Sequence, residues 1–213
     1  MAERRLRPLC TLRSTPLVTS GAMDPSAALV RNGFPLVDGH PDVAGVLRRP
    51  DLLRLLGPLL AAPFADKAIS VVCAPEARGP ILGALVAAEL GAGLMVVRKD
   101  GRNHPGANRR VESGVTWRGT TETFIARSWD LSAGDRVLVV DDWITTGNSI
   151  RAVRELIERA GGVYIGTSVL VDKADSSTRG ELGVRAVVRF DDIVGPHRPT
   201  SVATDREHGT TRP

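Results

Sequence analysis

Residues 137–149, VLVVDDWITTGNS, pass from consecutive aliphatic side chains directly into two adjacent carboxylates and then into a turn almost free of large groups. An unbroken aliphatic run suits a strand buried on both faces, which needs a covering layer above and below it. Comparable runs recur along the chain. AISVVCA (68–74) precedes ILGALVAAEL (81–90), an Ala/Leu-rich helical segment closed by Gly91. LMVVRK (94–99), DRVLVVDD (135–142), VYIGTSVLVDK (163–173) and AVVRF (186–190) read as further strands, and ETFIAR (122–127) as one strand of a hairpin. A helix opens at Ser149 with Ile150, Val153, Ile157 and Ala160 along one face. The polar stretch 100–120 has no period of its own. Strands alternating with helices predict an α/β fold with a mostly parallel central sheet flanked by helices. Ligands of such sheets bind at the carboxyl ends of the strands, where Asp141 and Asp142 are expected.

The chain of 213 residues is long enough for one α/β domain, and its 42% hydrophobic content suits a globular core. No apolar run reaches the roughly 18–20 residues that cross a bilayer, so no membrane partner is expected. Cys10 and Cys73 stand alone, which argues against a disulfide framework and for a reducing, cytoplasmic setting. Four scattered histidines and two distant cysteines have no metal-site spacing, so no protein-held metal is expected.

The formal charge of +4 is distributed against a nucleic-acid role. Residues 1–27 carry +2, residues 196–213 carry +1, and the middle carries +1 with mixed signs. A nucleic-acid binder gathers its basic residues on one face. Residues 1–27, Arg-, Ser- and Thr-rich, read as a disordered extension, a transit peptide, an expression remnant, or the product of a start assigned upstream of Met23. Residues 196–213 have the composition of a disordered tail, which leaves 28–195 as the folded unit.

Thr145, Thr146, Gly147, Asn148 and Ser149 lie between a strand and a helix. Small residues there let backbone N–H groups close on an anion, and the helix dipole adds positive potential. Without the lysine of a P-loop the cradle fits a monophosphate. Two preceding carboxylates suit sugar hydroxyls, and a phosphate beside a diol describes a ribose 5-phosphate. The plainer alternative is that the acids and hydroxyls simply cap the turn and the helix.

These residues carry a resemblance. VLVVDDWITTGNS resembles the signature of the type I phosphoribosyltransferases, and APEARGPILGALVAAELGAGLMVVRKDGRNHPG (74–106) is similar to the corresponding stretch of adenine phosphoribosyltransferases. The likeness covers roughly residues 33–193. It implies the family's fold, with an N-terminal hood and a flexible lid loop at 100–120, and transfer of ribose 5-phosphate from phosphoribosyl pyrophosphate to a nucleobase, adenine leading. Asp141 and Asp142 would hold the ribose hydroxyls, and residues 145–149 the 5-phosphate. Ala77, Arg78 and Gly79 would form the pyrophosphate loop after Glu76, with Arg98 and Lys99 neutralising the same group. The resemblance also implies Mg²⁺ bound mainly through the substrate, and a homodimer. For Arg98 and Lys99, two solvated charges at a strand end are the plainer alternative.

The sequence departs from the adenine pattern in three places. Trp117-Arg118 stands where that family has an acid–aromatic pair, leaving the acid/base role at the base unassigned; Arg109, Arg110 or Arg118 would then serve as lid cations. In the hood-like segment GFPLVDGHPDV (33–43), which contains Phe34, His40 replaces an aromatic residue and is either a stacking group or a loop residue. LVDK (170–173) resembles the Val-Asp-Lys of 6-oxopurine phosphoribosyltransferases, where Lys173 would donate to an exocyclic oxygen; otherwise it is a solvated lysine. A 6-oxopurine or other-base enzyme, and a non-catalytic regulator that binds phosphoribosyl pyrophosphate, are the alternative functions.

Overall fold

The computed structural model describes residues 24–101, 103–116 and 119–195. In chain order the elements are α1 (Pro25–Gly33), β1 (Leu36–Val37), β2 (His40–Pro41), α2 (Val43–Leu47), α3 (Pro50–Ala61), β3 (Val71–Pro75), α4 (Gly79–Leu90), β4 (Gly93–Lys99), β5 (Arg109–Glu112), β6 (Thr123–Ala126), β7 (Arg136–Ile144), α5 (Asn148–Arg159), β8 (Val163–Asp172), α6 (Ser176–Glu181), β9 (Val184–Arg189) and α7 (Phe190–Val194). Seven strands form one sheet in the order β5-β6-β4-β3-β7-β8-β9, while β1 and β2 make a separate two-stranded ribbon. Strands β4, β3, β7, β8 and β9 are mutually parallel; β6 and β5 add an antiparallel edge.

The aliphatic runs divide between two cores because successive strand side chains point to opposite faces. Val72, Leu138, Val140, Leu170 and Val188 pack with α1, α3 and α4 on one face. Cys73, Val137, Val139, Val169 and Val184 pack with α5 and with Val97 and Phe124 on the other. A helix layer on each side makes every strand residue of β7 from Val137 to Val140 a buried one.

Several elements differ from the sequence expectation. Helix α1 begins at Pro25 with the Asp24 carboxylate accepting from the Ser26 and Ala27 N–H groups, and Ala27 is buried. The described fold therefore includes four residues, Asp24 to Ala27, that a boundary at 28 leaves out; Met23 lies outside the described residues. Helices α1 to α3 have no counterpart in the expected pattern. In α3 a Cβ on Gly57 would stand 3.3 Å from the Leu85 carbonyl, so the glycine is what lets α3 lie against α4. The stretch 100–120 contains β5, paired with β6 from Arg109↔Ala126 to Glu112↔Thr123. Of its four residues only Val111 is buried, so no apolar alternation announces it. Strand β7 continues past the acid pair to Ile144.

Leu138 is fully buried where β7 meets the α4 layer. Leu138→Ala should lower unfolding free energy by about 2–5 kcal/mol in urea denaturation, without changing the m-value.

Candidate active site

Strand β7 is paired unequally along its two edges. Its ladder with β3 ends at Cys73↔Val139, whereas its ladder with β8 runs on to Ile144↔Asp172. Beyond Val139 the β3 side is open, because β3 stops at Pro75 and the chain turns away through Glu76, Ala77 and Arg78 into α4. A cavity of about 840 Å³ opens there. The Glu76–Ala77 peptide in this turn is cis. Gly79, the first residue of α4, sits so near β7 that a Cβ would lie 3.1 Å from the Val140 carbonyl and 3.2 Å from Asp141 Oδ1. The glycine lets the pyrophosphate-loop candidate approach the acid pair.

The two carboxylates occupy different positions. Asp142 is on the cavity wall; Asp141 is half-buried behind it, with Oδ1 accepting the Asp142 N–H at 2.8 Å. Burial holds the Asp141 carboxyl well above the usual aspartate range, and the neighbouring Asp142 charge adds to the shift.

All three predicted pyrophosphate cations are held by carboxylates. Arg78 Nε meets Asp142 Oδ2 at 2.5 Å, Arg98 Nε meets Glu76 Oε1 at 2.7 Å, and Lys99 Nζ meets Glu122 Oε1 at 2.5 Å. Arg98 also donates to the Asn103 carbonyl at 2.6 Å. Arg98 and Lys99 thus each have a carboxylate partner while remaining about a third exposed. Arg98 lies off the main cavity, on an adjoining one of about 270 Å³ that it shares with Glu76, Ala77 and Lys99.

Thr145, Thr146, Gly147, Asn148 and Ser149 all line the main cavity. Gly147 occupies the N-cap of α5 with φ +75°, a conformation that favours glycine, and no side chain caps the helix. The first helical bond runs from the Arg151 N–H to the Gly147 carbonyl, which leaves the N–H groups of Ser149 and Ile150 without intrahelical acceptors. The Thr146 hydroxyl makes one long contact, 3.5 Å, with the Asn148 N–H. The simple capping alternative thus does not describe this helix end.

The cavity is also lined by His40, Pro41, Trp143, Lys173 and Phe190. His40 and Pro41 come from the β1–β2 ribbon, whose tight turn places Asp38 and Gly39 at positive φ. Trp143 and Phe190 stand with ring centroids 5.7 Å apart, and the Lys173 ammonium lies 4.2 Å from the Phe190 centroid. Phe34 is a correction: it is fully buried in the core beside α3 and not on the cavity wall, so it packs rather than facing a ligand. Arg110 is paired with Asp100, and both Arg109 and Arg110 are off the cavity. Trp117 and Arg118 lie outside the described residues. Glu122, Trp143, Asp175 and Phe190 are wall residues that the sequence reading did not select. Trp143, directly after the acid pair, and Phe190, directly after a strand, carried a legible signal as aromatics at strand carboxyl ends.

A model of the phosphoribosyl transferase domain matches residues 47–199. The chain belongs to the type I phosphoribosyltransferase family. By reaction type it is a pentosyltransferase. It is similar to an adenine phosphoribosyltransferase of Streptococcus uberis, with 38% identity over 56% of this chain and 67% of that protein. It is equally similar, at 38% identity, to an orotate phosphoribosyltransferase of Pelotomaculum thermopropionicum over 75% of this chain and 76% of that one. Among solved structures, the adenine phosphoribosyltransferase of Rhodothermus marinus superposes with a TM-score of 0.66 at 31% identity, covering 77% of this chain and 98% of that one. That of Giardia lamblia, complexed with 9-deazaadenine, gives 0.68 at 26% identity over 78% and 98%.

The raised Asp141 carboxyl has a consequence for stability. The folded state holds its proton more tightly than the unfolded state, so stability falls as pH rises from the ordinary aspartate range toward the raised value. Asp141→Asn removes that loss while keeping an acceptor for the Asp142 N–H. The melting temperature of the variant should exceed that of the wild type at pH 7, and the gap should shrink as pH falls toward 4.

Proposed function

We propose that the chain transfers ribose 5-phosphate from phosphoribosyl pyrophosphate to a purine, adenine leading, with release of pyrophosphate and formation of a nucleoside monophosphate. The observation that carries the reading is the uncapped N-terminus of α5 facing the same cavity as Asp142 and Arg78. Free N–H groups and the helix dipole attract a phosphate to that cavity, and Arg78 and Lys99 on its wall attract pyrophosphate.

The ion pairs give the mechanism its order. Pyrophosphate competes with Asp142 for Arg78 and with Glu122 for Lys99. Once Arg78 turns to the leaving group, Asp142 is free to accept hydrogen bonds from the ribose hydroxyls and to face the positive charge that develops on the sugar ring in a dissociative displacement. Catalysis is then chiefly positioning and charge stabilisation. Trp143, Phe190 and His40 offer faces for the base. In this reading the ribbon holding His40 is the hood, and the stretch 100–120 is the lid that excludes water.

Mg²⁺ fits this wall. Asp142 supplies hard carboxylate oxygens, but among the described residues no group of three His, Cys, Asp or Glu could hold a metal, so substrate oxygens would complete its shell. The ion, when bound, neutralises charge on the pyrophosphate. Among the described residues no helix is long and apolar enough to cross a membrane, and we place the enzyme in the cytoplasm as a homodimer on family grounds.

Adenine leads because similar proteins of known structure are adenine enzymes, one of them holding an adenine analogue. A base with an exocyclic oxygen is the second reading. Lys173 presents an ammonium to the cavity, which has donors and no acceptor and so suits an oxo group rather than the amino group of adenine. The orotate relative agrees with that reading.

Pyrophosphate release should be followed with Mg²⁺, phosphoribosyl pyrophosphate and adenine, hypoxanthine, guanine, xanthine, uracil or orotate. Adenine-dependent release is the expected result. Release with an oxo base alone selects the second reading, and Lys173→Ala should then lose that activity. Silence with every base would overturn the transferase reading. Asp142→Asn should cut kcat/KM by roughly 100-fold or more while leaving the circular dichroism spectrum unchanged.

A further inference from the structure

Arg151, on the first turn of α5, is not on the cavity wall, yet it holds the turn that is. Its Nη1 donates to the Thr146 carbonyl at 2.8 Å and to Asn148 Oδ1 at 2.9 Å. Its Nε and Nη2 pair with both oxygens of Glu181 on α6, the shortest distance being 2.6 Å, and Nη2 stands 3.5 Å from the Thr178 hydroxyl. One planar guanidinium therefore fixes a backbone carbonyl, a side-chain amide and a neighbouring helix at once, which a lysine cannot do.

Each bond has a directional effect. In a trans peptide the C=O and the following N–H point in opposite directions. Drawing the Thr146 carbonyl toward Arg151 turns the Gly147 N–H away from it, and Thr146 and Gly147 both border the cavity while Arg151 does not. At Asn148, the bond from Arg151 requires the oxygen of the amide to face the guanidinium, because the amide NH₂ and the guanidinium are both donors. The NH₂ is thereby aimed at the Val115 carbonyl, which it reaches at 2.6 Å. Gly114 allows the approach, since a Cβ there would come within 3.1 Å of Asn148 Nδ2. The turn is equally close to α6: a Cβ on Gly147 would lie 2.7 Å from Thr178 Cγ2 and 2.8 Å from Leu182 Cδ1.

We propose that Arg151 is a positioning residue for the ribose-phosphate turn, and that through Asn148 it sets the turn against the β5–β6 connection at Val115. Nothing in the sequence reading selected Arg151, and Asn148 enters there as a phosphate ligand; its side chain is instead occupied in joining the turn to the rest of the site. The inference rests on the proposal that this turn binds the 5-phosphate.

The test measures two ligands separately by calorimetry on the full chain in the presence of Mg²⁺: ribose 5-phosphate, which needs the turn, and pyrophosphate, which does not. Arg151→Gln should weaken ribose 5-phosphate roughly tenfold to a hundredfold and leave pyrophosphate binding within twofold. Asn148→Ala should weaken ribose 5-phosphate in the same direction, and the double variant should be no weaker than the worse single one, because both substitutions break one connected unit. Arg151→Lys keeps a charge beside Glu181 but loses the fork; it should behave like the glutamine variant and carries the test should that variant not fold. Unchanged ribose 5-phosphate affinity in the Arg151 variants would overturn the proposal, as would equal losses for both ligands, the mark of general damage. If the wild type itself does not bind ribose 5-phosphate, the reading of the turn fails, and the inference with it.

Discussion

The site depends on where the hydrogen-bond ladder of β7 stops on each side. Pairing with β3 ends at Val139, and pairing with β8 continues to Ile144, so β7 is a strand with one satisfied edge and one open edge over its last five residues. That overhang holds Asp142, Trp143 and Ile144 at the cavity wall on a backbone that β8 still keeps rigid. The turn after β3 and the start of α4 fill only part of the opening, and Gly79 allows them to come within contact distance of the Val140 carbonyl. A rigid strand bearing the carboxylate and a tight turn bearing the arginine are thus brought together by two local features, a proline that ends β3 and a glycine that starts α4.

Electrostatics then sets what the cavity can accept. Without ligand, Arg78, Arg98 and Lys99 each sit against a carboxylate, and all six side chains are at least partly open to solvent. Such pairs contribute little to stability, so exchanging their partners for phosphate oxygens is not strongly opposed. Behind them, burial and the neighbouring Asp142 charge keep the Asp141 carboxyl high. Sharing the acid pair between a charged wall residue and a withdrawn one limits like-charge repulsion within the site.

Much of this was legible in the chain. The unbroken aliphatic runs identified the parallel strands, and the acid pair with its small-residue turn located the cavity, because those patterns follow from burial on two faces and from backbone approach to an anion. Helix α3 contains the adjacent Gly57 and Pro58, a local breaking signal that packing on α4 overrides. Strand β5 was hidden because a single buried residue, Val111, leaves no alternation to read. Phe34 was misread because an aromatic residue near a binding segment looks the same in sequence whether it faces a ligand or the core. Glu122 meets Lys99 from 23 residues further along the chain, and only the folded topology brings the two together; Arg151 is near the turn in sequence, but its ion pair with Glu181 on α6, 30 residues on, is equally a product of the fold.

A crystal structure with phosphoribosyl pyrophosphate and Mg²⁺ tests the central claim most directly. The account predicts the 5-phosphate against the N–H groups of residues 146–150, the ribose hydroxyls at Asp142, and the pyrophosphate on Arg78 after its release from Asp142. A 5-phosphate bound elsewhere, with the Arg78–Asp142 pair still closed, would contradict it.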